Sequence, residues 1–70
     1  TIAIGLSASA NPGNAIAIGS GAKAVGPFTT AIGFNANATG LNSIAIGNTA
    51  IALPNSICIG SPVNAIGGTY

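Results

Sequence analysis

The tetrapeptide Ile2-Ala3-Ile4-Gly5 returns as Ile16-Ala17-Ile18-Gly19 and as Ile44-Ala45-Ile46-Gly47, with Thr30-Ala31-Ile32-Gly33 and Ile57-Cys58-Ile59-Gly60 as close variants. The turn glycines that anchor these copies, Gly5, Gly19, Gly33 and Gly47, are spaced by 14 residues, and Gly60 follows at 13. Self-similarity at a fixed period marks a solenoid, in which one unit buries its apolar surface against the next. Small residues stand three and five places after each anchor: Ala8 and Ala10, Ala22 and Ala24, Ala36 and Ala38, Ala50 and Ala52, then Val63 and Ala65. Seven places after it comes Gly26, Gly40 or Gly67, with Pro12 and Pro54 as the exceptions. One repeat therefore holds two short alternating runs, each closed by a turn residue, which is the pattern of strands. A helix is excluded, because Gly or Pro arrives about every seven residues and each interior Gly costs a helix about 1 kcal/mol.

Two strands and two turns per 14 residues describe one coil of an all-β, parallel β-solenoid, or β-roll. Residues 1–70 read as a single segment of about five such repeats. With coils about 4.7–4.9 Å apart, five of them make a stub roughly 24 Å long. The glycines suit turns with positive φ. Asn35, Asn37, Asn42, Asn48 and Asn55 fall in the same regions, where Asn tolerates left-handed backbone and caps its own chain. The fourth repeat is one residue short, yet the whole is 70 residues, five times 14. Joining Tyr70 to another Thr1 would restore the missing residue, so the block reads as an excerpt that recurs in a longer chain or head to tail in a fibre.

Charge limits the chemistry. The chain has one Lys+Arg and no Asp, Glu or His, so charged residues are 1% of it, against about 25% in an ordinary globular protein. General acid–base catalysis needs His, carboxylates or a tuned Lys, and metal sites need clusters of His, Cys or carboxylate. No enzyme, cofactor site or metal site is expected. A net charge of +1 gives nucleic acid nothing to bind. The apolar runs are too short for a membrane helix, which needs about 18 residues. Lys23 reads as a solvated tip. Cys58 occupies the slot of Ala3, Ala17, Ala31 and Ala45, which suits a small buried hydrophobe; an intermolecular disulfide is the alternative. Asn37-Ala38-Thr39 fits the N-glycosylation sequon, so Asn37 is a candidate glycosylation site.

The alternation also predicts self-association. In Ile-Ala-Ile the isoleucines point one way and the alanine the other, so both faces of the strand are apolar. Ile2, Ile4, Ile16, Ile18, Ile32, Ile44, Ile46, Ile57 and Ile59 are the candidate structural repeat core. Either face could line the interior, although the Ala and Gly steps of the other strand suit a narrow one. Whichever face stays outside is a stripe beyond the few hundred Å² that a monomer normally exposes. Unpaired strand edges at the ends of a solenoid invite stacking as well. Association at the sides as a homotrimer, end to end, or both is expected.

The runs Asn42-Ser43-Ile44-Ala45-Ile46-Gly47 and Gly19-Ser20-Gly21-Ala22-Lys23-Ala24-Val25-Gly26 resemble the YadA-like head repeats of trimeric autotransporter adhesins. The resemblance covers nearly the whole chain. It implies a left-handed parallel β-roll, three of which associate about a common axis. It further implies a non-catalytic, extracellular position on a stalk anchored in a bacterial outer membrane, and attachment to host matrix proteins or other surfaces. The alternative reading is a subunit of a self-assembling extracellular filament, structural in role and glycosylated.

Overall fold

The structure, a computed structural model, describes residues 1–11, 13–60 and 64–65. Pro12, Val63, Gly67 and Tyr70, which figure in the sequence pattern, lie outside the described residues. Among the described residues the chain order is β1 (Ile2–Ile4), β2 (Ser9–Ala10), β3 (Ile16–Ile18), β4 (Lys23–Ala24), β5 (Thr30–Ile32), β6 (Asn37–Ala38), β7 (Ile44–Ile46), β8 (Ile51–Ala52), β9 (Ile57–Ile59) and β10 (Asn64–Ala65). The odd-numbered strands form one parallel sheet in the order β1-β3-β5-β7-β9, and the even-numbered strands form a second, β2-β4-β6-β8-β10. Successive coils pair in the register of the repeat: Ala3, Ala17, Ala31, Ala45 and Cys58 make one column, and Ile4, Ile18, Ile32, Ile46 and Ile59 another. The fold is thus a parallel β-solenoid of 14-residue coils with two short strands each.

The interior is made of alanine. Ala17, Ala31, Ala45 and Cys58 of the first sheet meet Ala24, Ala38 and Ala52 of the second, all at 0% exposure, with Ala22, Ala36 and Ala50 filling the turns between them. The isoleucines proposed as the repeat core are therefore not the core of this protomer. Ile16, Ile18, Ile32, Ile44, Ile46 and Ile57 are half-buried on the outside, and Ile2, Ile4 and Ile59 are exposed. Size decides the outcome. The molecule measures 27 × 24 × 10 Å, and so thin a slab leaves room for one methyl layer from each sheet at close-packed density.

The turns explain the glycines. Gly5, Gly19, Gly33, Gly47 and Gly60 have φ between 127° and 137°, a region that L-residues essentially do not enter. The first four also lie flat on the glycine of the next coil: a Cβ on Gly19 would stand 2.6 Å from the Gly33 oxygen, and one on Gly33 would stand 2.5 Å from the Gly47 oxygen. Two residues later Ser7, Gly21, Asn35 and Thr49 are left-handed, with φ between 56° and 73°. The amide three residues after the anchor closes this turn, as where Ala36 donates to the Gly33 carbonyl at 3.2 Å.

At the opposite turn Phe28, Asn42 and Asn55 are left-handed, each with φ of 57°. Three of the five asparagines thus hold the backbone role expected of them. Asn37 lies in β6 instead, and Asn48 precedes the left-handed Thr49. The fourth coil loses its residue at this second turn, where Leu53-Pro54-Asn55 replaces the longer Thr39-Gly40-Leu41-Asn42. The shorter turn draws Pro54 onto Gly40, leaving no room there for a Cβ.

Candidate functional site

No cluster of three His, Cys, Asp or Glu exists among the described residues, and no pocket opens among them. What the structure offers is surface. On the outer face of the first sheet, Ile4, Ile18, Ile32, Ile46 and Ile59 form one column, and Ile2, Ile16, Thr30, Ile44 and Ile57 form the other. Neighbours in a column shield one another, which is why the central isoleucines are half-buried while Ile4 is 57% and Ile59 66% exposed. The face carries no charge. The second sheet presents a different column, Ser9, Lys23, Asn37 and Ile51, in which the only cation of the chain stands. Asn37 is half-buried there, and its Oδ1 is buried without a hydrogen-bond partner. Cys58 is buried in the alanine column.

One structural device escaped the sequence reading. Thr29, Ser43 and Ser56 are buried beside the alanines, at the position before β5, β7 and β9. The Thr29 hydroxyl donates to the Gly26 carbonyl at 2.7 Å, Ser43 donates to Gly40 at 2.7 Å, and Ser56 donates to Leu53. Each satisfies a carbonyl at the second turn that the alanine interior cannot serve, and a buried carbonyl left without a partner costs about 1–3 kcal/mol. The signal was present as a small hydroxyl residue before Ile-Ala-Ile, but its direction was not legible without the fold.

A slab with a methyl interior and one apolar outer face defines a class: a repeat protein that presents surfaces. The model of the YadA head domain repeat matches this chain in two copies, over residues 1–22 and 24–50. The chain belongs to that family. Its repeats are those of trimeric autotransporter adhesin heads, non-catalytic domains exposed on the bacterial outer membrane, and the family implies homotrimeric assembly. Comparison with curated proteins and with solved structures gives no match.

Proposed function

We propose that this chain is a segment of the head or shaft of an adhesin-like surface fibre, in which three copies associate through the outer isoleucine face. The observation that carries this reading is the distribution of side-chain size: alanine fills the inside of the slab, and the larger branched residues stand outside it in two continuous columns. A chain selected only to fold alone gains nothing from isoleucine in water, whereas burying it between copies contributes about 25 cal/mol per Å². The second sheet and its polar column then face outward, toward a host matrix protein or another surface. Asn37 belongs to that second sheet, so a sugar attached to it would leave the lateral contact clear. An intact mass equal to that of the bare sequence excludes the sugar.

Sedimentation equilibrium at micromolar concentration tests the association. A mass of three chains, falling to one when Ile18, Ile32 and Ile46 are replaced together by Asn, is the expected result. A folded wild-type monomer, with the β-sheet circular dichroism intact, would remove the proposal. Long uniform threads in negative stain, in place of discrete particles, would favour the filament.

A further inference from the structure

Phe28 and Phe34 flank the same circuit. The chain runs Phe28-Thr29-Thr30-Ala31-Ile32-Gly33-Phe34, placing one ring just before β5 and the other just after it. Both are exposed, at 58% and 54%. Phe28 is also left-handed, with φ of 57°, a conformation that costs an L-residue stability and is an outlier for a bulky one. The equivalent positions of the following coils, Asn42 and Asn55, hold a residue suited to that backbone. The protomer thus keeps a bulky aromatic ring largely in water on a left-handed backbone. Between the two rings the outer column carries Thr30, the one place in either column where isoleucine gives way to a smaller side chain.

We infer that Phe28 of one copy packs against Phe34 of the next, so that a ring of three aromatic pairs closes the trimer at the level of the third coil. This rests on the trimeric reading above. The occupant is a second copy of this chain, for three reasons. In flat projection the isoleucine face is about 24 Å by 10 Å from strand spacing and rise, or roughly 240 Å² before side-chain relief is added. That is well short of the roughly 800 Å² per partner in a stable interface, so residues beside the face must contribute. The flanking rings are continuous with the face, on opposite sides of it. Finally, each contact in a closed threefold ring is heterologous, joining one flank of a copy to the opposite flank of its neighbour. An axis along the stacking direction keeps every residue at its own height, and Phe28 and Phe34 share a coil. The flanks carry no charge, so joining them strips water from no ion.

Cross-linking tests the pairing. Phe28→Cys and Phe34→Cys chains are prepared separately, then unfolded, mixed, refolded and treated with a short bismaleimide; Cys58 is buried and unreactive in the folded state. The mixture is expected to give a covalent dimer of one chain of each kind, and either variant alone only monomer. A dimer from one variant alone, or none from the mixture although sedimentation shows both variants trimeric, would overturn the pairing while leaving the trimer standing. A monomeric wild-type chain would overturn both. Substitutions taken from the chain's own repeat give a second reading. Phe28→Asn copies Asn42, and Phe34→Asn copies Asn48, so both suit the fold. Each is expected to weaken association by about tenfold, and the double variant by little more than either alone. Phe28→Asn should at the same time leave the coil no less stable. Weakening that multiplies in full, or none, would refute the contact.

Discussion

Replacing Gly33 by alanine puts the glycine column to the test. The substitution adds one methyl group, and two penalties meet at that position. Its φ of 132° lies where a non-glycine residue costs about 1–3 kcal/mol. The new Cβ would also stand 2.5 Å from the Gly47 oxygen and 2.7 Å from its carbonyl carbon. Those atoms are backbone in the next coil, and they cannot retreat without loosening the ladder in which the Gly47 amide donates to the Ile32 carbonyl at 2.8 Å. Overpacking of this kind costs about 1–3 kcal/mol, so the sum is about 4 kcal/mol. Gly13 is the control: its φ is 59° and nothing lies within 4 Å of an added Cβ, so Gly13→Ala should cost only the left-handed term of about 1–2 kcal/mol. Urea unfolding followed by circular dichroism, at one fixed chain concentration because association shifts the midpoint, measures both. The difference of about 2–3 kcal/mol corresponds to a midpoint at least about 8 °C lower on heating for Gly33→Ala. Equal losses at the two glycines would refute the close stacking of coils.

The interior and the chemistry of the chain give three more tests. Ala31→Leu should destabilise the fold by about 1–3 kcal/mol through overfilling, whereas Ile32→Leu on the outer face should leave protomer folding nearly unchanged; equal effects in urea would contradict the assignment of inside and outside. Ser43→Ala removes the donor to the Gly40 carbonyl, and should cost about 1 kcal/mol by the same measurement. No Asp, Glu or His is present, the side chains that ordinarily titrate between about pH 4 and pH 7, so unfolding free energy should be nearly flat over that range; a steep slope there would contradict this reading.

The repeat, its register and the strand content were legible in the sequence because the 14-residue spacing of Ile-Ala-Ile-Gly carries them directly. The choice of inner face was not. A strand alternates with period two, and here both of its faces are apolar, so hydrophobicity cannot say which is inside. Side-chain volume against the thickness of the slab decides it, and thickness is a property of the assembled coil. The same limit hid the hydroxyls of Thr29, Ser43 and Ser56, whose role depends on a carbonyl three residues back being turned inward. The left-handed Phe28 was illegible for a different reason. Local preference would have placed Asn there, as in the next two coils, and the fold overrides it.

Nuclear Overhauser contacts among methyl groups test the arrangement of the interior most directly. Within one chain, Ala31 is expected to show cross-peaks to Ala17 and Ala45 in its own sheet and to Ala38 across the slab, while the δ-methyls of Ile18, Ile32 and Ile46 reach none of the second-sheet alanines. Cross-peaks from those isoleucines to Ala24, Ala38 and Ala52 of the same chain would place the large side chains inside, and the account would be wrong.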